Sequence, residues 1–259
     1  SEYPIVGYIP AHSPAEKTTG KAGCPLSTRE QIQFMESDDD IRYTVLGQKV
    51  FREVGKSFTT YDMMRLWIYN LPYGSVCTAE TQAYRNFVNR YQMHMKMWTR
   101  KSEEWNQEID WTWVASYQNP YREWIGAQIR ADHFGYAAPG NMELAADFAW
   151  RDARMSHVKN GIYGEMFVAA MIAAAFVMDD PLAIVQAGLN EIPASSRLYA
   201  EMQQTIEICR KHEFKPAAFE AVLEEIYQLL GHYNAVHTNN NAALVVAALL
   251  LLGAYSPAM

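Results

Sequence analysis

The sequence predicts an all-α fold. Apolar residues recur at helical spacing along most of the chain. Capping residues stand just ahead of those stripes. No set of segments alternates apolar and polar side chains as half-buried strands do.

Taken in order, residues 1–35 form a loop-rich opening, with Pro4, Pro10, Pro14 and Pro25 among Gly7, Gly20 and Gly23. Residues 41–54 carry a helical stripe of Val45, Leu46, Val50, Phe51 and Val54. Thr59 or Thr60 caps a second helix through Met63, Met64, Trp67 and Ile68, which Pro72 ends. A third covers 78–91, with Glu80 and Thr81 in its first turn. Further helices are expected at 121–131, 142–155, 161–178, 182–192, 196–212, 217–232 and 240–252. Asp180-Pro181 supplies an N-cap followed by proline at the first helical position. The segment 91–124 holds Trp98, Trp105, Trp111, Trp113 and Trp124, five of the seven tryptophans. Such a cluster buries area under a long loop or stacks on a base or sugar; burial is favoured. Trp111-Thr112-Trp113 reads as extended chain or a turn.

The 259 residues suffice for one large domain, taken as 1–259. Hydrophobic content of 49% against 20% charged residues fits a folded protein. A net charge of −7 argues against general nucleic-acid binding, which needs a basic face. Cys24, Cys77 and Cys209 lie too far apart for a zinc motif and are odd in number, so a reducing, cytoplasmic setting is expected. The most apolar runs, 166–178 and 242–255, fall short of the ~20 residues that span a bilayer. They read as buried helices rather than membrane segments.

The run Glu36-Ser37-Asp38-Asp39-Asp40 has two readings. Three carboxylates beside a hydroxyl form a hard-oxygen cluster suited to Mg²⁺, Ca²⁺ or Mn²⁺. The same residues open a helix, where Ser or Asp caps and acids favour the dipole by about 0.3–1 kcal/mol each. A cap needs only one aspartate.

The middle of the chain narrows the choice. It reads Gly126-Ala127-Gln128-Ile129-Arg130-Ala131-Asp132, then Phe134-Gly135-Tyr136 and Pro139-Gly140-Asn141. There follows Ala149-Trp150-Arg151-Asp152-Ala153-Arg154-Met155-Ser156-His157-Val158-Lys159-Asn160-Gly161, and later His237-Thr238-Asn239-Asn240-Asn241. In this order the motifs resemble the ADP-ribosylglycohydrolase family, over residues from about Tyr3 to Leu252.

The resemblance implies an orthogonal multi-helix bundle that hydrolyses the bond between C1″ of ADP-ribose and a modified side chain or small acceptor. It implies two Mg²⁺ ions, or Mn²⁺, in a cleft. The family's Ser/Thr-Asp-Asp motif falls on Ser37, Asp38 and Asp39, with Asp40 next; a register of Asp38, Asp39 and Asp40 is the alternative. Asp38 and Asp39 are then the catalytic candidates. Gly126, Ala127 and Arg130 match the Gly-rich segment beside the distal ribose. Ser156 and His157 match the pair near the ligand, and His237 and Asn240 a polar helix start that faces it. An ADP-ribosylated protein or an ADP-ribosyl small molecule is the implied partner.

Two family motifs have no counterpart: the initial Gly-rich helix, and the closing Asp-x-Asp-Thr that supplies the remaining metal ligands. Asp179-Asp180 precedes Pro181 and is no substitute. The chain thus resembles a family member lacking both ends. The competing expectation is a truncated or degenerate member that binds an ADP-ribosyl ligand or a protein without turnover. A third is a helical domain whose acidic run is only a cap. Bland readings stand beside the other candidates. His157 could cap a helix, Arg130 could pair with Asp132 or Asp147, and Glu165 is either an orienting acid or a solvated charge.

Overall fold

The computed structural model describes residues 25–92 and 101–253. Among these the protein is all-α, with twelve α-helices and no strand. The backbone divides into two units, Ser1–Tyr43 and Thr44–Met259, described here one at a time.

In the first unit, Pro25–Ser27 forms a short 3-10 turn. Glu36 ties it back: its Oε2 accepts from the backbone N–H of Leu26 and Ser27, while Ser27 Oγ accepts from Glu36 N at 2.8 Å. Helix α1 (Asp39–Glu53) then begins, and the unit boundary falls within it.

The second unit holds the remaining helices. Helix α2 (Thr60–Asn70) opens on a full capping box, in which Thr59 and Asp62 satisfy each other's backbone N–H. Helix α3 (Thr78–Phe87) runs into a π turn, Val88–Gln92, so the expected helix to Tyr91 changes pitch at Val88. Two short helices follow in the tryptophan-rich segment, α4 (Ser102–Glu108) and α5 (Trp111–Ser116). Trp111-Thr112-Trp113 is therefore helical, not extended, because Asp110 caps it by accepting from Trp113 N at 2.9 Å. Trp105 and Trp111 are buried, as favoured, and Trp111 stacks on Phe87 at 6.0 Å. Trp98 lies outside the described residues.

The helix expected at 121–131 does not form. Ile125 N donates to Val236 O, Val158 N to Arg122 O, and Trp124 bridges His237. These long-range bonds consume groups a helix would have paired internally. Only a 3-10 turn, Gln128–Arg130, and a short helix α6 (Asp132–Tyr136) remain.

Helices α7 (Met142–Ala153) and α8 (Asn160–Ala175) pack closely through buried alanines such as Ala145, Ala149, Ala169 and Ala173. Helix α9 (Pro181–Asn190) starts on the Asp180 cap, and α10 (Arg197–Lys211) on the Ser196 cap. Helices α11 (Phe219–Leu230) and α12 (Thr238–Leu252) close the bundle. One core joins α8 to α12 through Phe167, Leu189, Met202, Ile206, Val222 and Val246. A second, aromatic core packs Phe51 edge to face against Phe58 and Phe148, with Phe58 stacked on Phe134. No helix among the described residues is long and apolar enough to cross a membrane.

Candidate metal centre and buried polar node

In the first unit the three carboxylates of Asp38, Asp39 and Asp40 converge. Each offers one oxygen, and those oxygens lie within 4.8 Å of one another. Asp38 and Asp40 are exposed and Asp39 half-buried. The cap reading holds as well. Asp38 Oδ1 accepts from Ile41 N at 3.0 Å, which satisfies an orphan N–H of the first turn. Its second oxygen is not needed for that bond, so capping and ligation are compatible. Ser37 is engaged differently. Arg42 Nε donates to Ser37 Oγ at 3.2 Å, and its Nη2 to the Ser37 carbonyl at 2.7 Å. Hard anionic oxygens at this spacing suit Mg²⁺ or Mn²⁺.

In the second unit the other candidates meet in the interior. Arg130, at the end of the 3-10 turn, is 1% exposed and is the hub. Its Nε donates to Asp152 Oδ2 on α7. Its Nη1 donates to Glu80 Oε1 on α3 at 2.7 Å, and its Nη2 to Ser156 Oγ at 3.0 Å. Glu165 Oε2 on α8 lies 3.5 Å from Nε. The guanidinium also covers the Trp67 ring of α2, 5.0 Å from its centroid. Arg130 thus pairs with Asp152 and Glu80, not with Asp132 or Asp147. Asp147 pairs instead with Arg151 on its own helix.

Ser156 carries the network on to His157, whose Nδ1 lies 2.9 Å from Ser156 Oγ. Because Ser156 Oγ accepts from Arg130, its own hydrogen is free to reach Nδ1. That leaves the imidazole neutral with its hydrogen on Nε2. Burial pushes the His157 pKa well down and the Arg130 charge pushes it further; the nearby Trp124 backbone opposes, though it lies outside the limits of a full hydrogen bond. Burial and the adjacent Asp152 push the Glu165 carboxyl well up, against the attraction of Arg130. Glu165 is fully buried, so it is no solvated charge.

Gly126 and Ala127 complete the node. A Cβ on Gly126 would stand 2.5 Å from Glu80 Oε1, so the glycine's open side admits the Glu80 carboxylate. Ala127 is wholly buried. The space bounded by Trp67, Glu80, Tyr84 and Ser156 leaves no room for a water molecule. The residues expected to face a ligand here hold one another.

The turn after His157 is strained. Lys159 adopts φ 48° and ψ −123°, a conformation side chains rarely take. Asn160 anchors that turn: its Nδ2 donates to Glu123 at 2.7 Å and its Oδ1 accepts from Leu198 N at 3.1 Å.

His237 caps α12, its Nδ1 accepting from Asn239 N at 3.2 Å. Its ring stacks on Tyr233 at 4.2 Å. Burial lowers its pKa, with Glu123 opposing. The first residues of α12 pin to the 122–126 strip, where Thr238 Oγ1 donates to Trp124 O at 3.0 Å. The strip thus carries the node on one side and the His237 cap on the other. The Asn240 amide is spent on the Asn234 and Ala235 carbonyls.

Sequence reasoning missed Glu80 and Asp152. The available signal was position: Glu80 lies beside Ala79 and Ala83, and Asp152 beside Ala149 and Ala153, on faces otherwise made for burial.

The family model for ADP-ribosylglycohydrolases matches residues 22–258. No curated protein and no solved structure matches the chain. The chain belongs to the ADP-ribosylglycohydrolase family, a family of hydrolases acting on ADP-ribosylated substrates.

Proposed function

We propose that this member of the ADP-ribosylglycohydrolase family is a divalent-metal-dependent hydrolase. It cleaves the glycosidic bond between C1″ of ADP-ribose and a modified side chain or small acceptor. The observation that carries the metal dependence is the convergence of Asp38, Asp39 and Asp40 at the start of α1.

Those three carboxylates would hold Mg²⁺ or Mn²⁺, and the cation supplies Lewis acidity toward a ribose hydroxyl or a water. The chain's own residues do the rest. Cleavage at C1″ builds positive charge on the sugar, and the anionic Asp38–Asp40 cluster stabilises charge of that sign. An oxygen of Asp38 or Asp39 not engaged by a cation can take a proton from the attacking water. The node fixes the turn bearing Ser156 and His157, with the imidazole neutral and its tautomer set. A cytoplasmic setting and an ADP-ribosylated protein or small molecule as substrate complete the reading.

A second reading is non-catalytic binding of an ADP-ribosyl ligand. Two observations favour it. Asp38–Asp40 is the one metal-capable acidic group among the described residues, and Arg130, Ser156 and His157 are buried. Release of free ADP-ribose from an ADP-ribosylated protein, measured with and without Mg²⁺, separates the two. Metal-dependent release supports hydrolysis. Calorimetric binding of ADP-ribose without release supports the second reading.

A further inference from the structure

Among the described residues the buried node has more carboxylates than cations. Glu80, Asp152 and Glu165 surround one guanidinium, and all four side chains are at most 2% exposed. Arg130 reaches Glu80 Oε1 and Asp152 Oδ2 with full hydrogen bonds. Among the described residues no hydrogen-bond donor reaches Asp152 Oδ1 or either oxygen of Glu165. Glu165 Oε2 lies 3.5 Å from the same Arg130 Nε that donates to Asp152 Oδ2, so two buried carboxyls crowd one N–H. Two carboxylates cannot hydrogen-bond to each other, since each only accepts; a carboxylic acid and a carboxylate can. A proton on Glu165 turns unpaired oxygens into one charge-assisted bond and lowers the buried negative charge by one.

We propose that Glu165 is a positioning acid, protonated at neutral pH, that donates its carboxyl hydrogen to Asp152 and thereby locks α8 onto α7. Asp152 then presents its other oxygen to Arg130 Nε. Arg130 in turn holds Ser156, and Ser156 holds His157 Nδ1. The charged and titratable groups facing Glu165 are Asp152 from α7, Arg130 from the 3-10 turn and Glu80 from α3, and His157 Nδ1 lies 3.8 Å from Glu80 Oε1. Among the described residues only Arg130 is cationic there, and two other carboxylates already engage it. This inference concerns the interior of the second unit and does not rest on the metal reading.

The test compares the wild-type chain with Glu165→Gln and Glu165→Ala. Glutamine is neutral and its amide still donates to Asp152; alanine does neither. From about pH 7 to 8, ordinary histidines are mostly neutral and most cysteines are still protonated. In that window the wild-type unfolding equilibrium constant should rise up to tenfold per pH unit, the slope of one proton lost. E165Q should flatten that slope and keep the neutral Nε2–H tautomer of His157 in nitrogen NMR, and E165A should lose that tautomer. Infrared spectra of the wild type at neutral pH should show a protonated-carboxyl C=O stretch that shifts on ¹³C-glutamate labelling. This last measurement needs no variant to fold. Equal slopes in wild type and E165Q, or no labelled protonated carboxyl at neutral pH, would overturn the proposal.

Discussion

Two regions of this molecule each gather three carboxylates, and they solve the resulting repulsion in opposite ways. At Asp38–Asp40 water does most of the work, since two of the three side chains are exposed. At Glu80, Asp152 and Glu165 the side chains are at most 2% exposed, and Arg130, with the proton proposed on Glu165, takes the place of water. An exposed cluster remains open to an added cation. A buried cluster that carries its own cation has no such vacancy and serves to hold helices together. Acidic composition alone does not separate a ligand set from a brace; burial and an internal arginine do.

The comparison can be broken most forcefully at the hub. Arg130→Ala leaves buried carboxylates without their cation, and breaking such a pair costs about 3–5 kcal/mol. Chemical denaturation should show that loss. A change under about 1 kcal/mol would mean the node is wet and resembles the exposed cluster after all. Gly126→Ala comes next. Its methyl would meet Glu80 Oε1 at 2.5 Å, and forcing the carboxylate aside should cost about 1–3 kcal/mol in the same measurement.

The pH dependence follows from the same node. Glu165 is raised in the folded state, so it stabilises fully below its ordinary value of 4.5, and that stability is lost as pH climbs through the raised value. His157 is lowered, so its contribution is lost as pH falls below its ordinary 6.5. The two slopes oppose each other between 4.5 and 6.5, and above 6.5 the His157 contribution is complete while the Glu165 slope continues. Thermal melts across that range should show the break near 6.5, and His157→Gln should make the acid limb shallower without abolishing it, since burial also lowers His133 and His237.

Lys159→Gly is a smaller effect with the opposite sign. Glycine takes φ 48° without strain, so the variant should gain up to about 1 kcal/mol despite its looser unfolded chain. Loss of stability there would show that the turn is held by the lysine side chain.

Much of the fold was legible because its signals are local. The Thr59 cap, Asp180-Pro181 and Ser196 each mark a helix start within a residue of the observed one. The 121–131 segment was not legible, because its backbone partners are Val236 and Val158, far along the chain. The acidic run was visible as three adjacent letters. The node was not, since its acids stand at 80, 152 and 165 and converge only when α3, α7 and α8 pack around residue 130. Gly126, Arg130, Ser156 and His157 were found as a group by resemblance, and the structure does assemble them, around Glu80 rather than an open cleft.

Calorimetric titration of Mg²⁺ into wild type and an Asp38→Asn/Asp39→Asn double variant tests the central claim. Asparagine caps a helix as well as aspartate does, so the double variant keeps the start of α1 and removes only the charge. The account expects binding in the wild type, no binding in the variant, and melting temperatures that differ little. Equal Mg²⁺ affinity in the two proteins would contradict it and leave the acidic run as a helix cap.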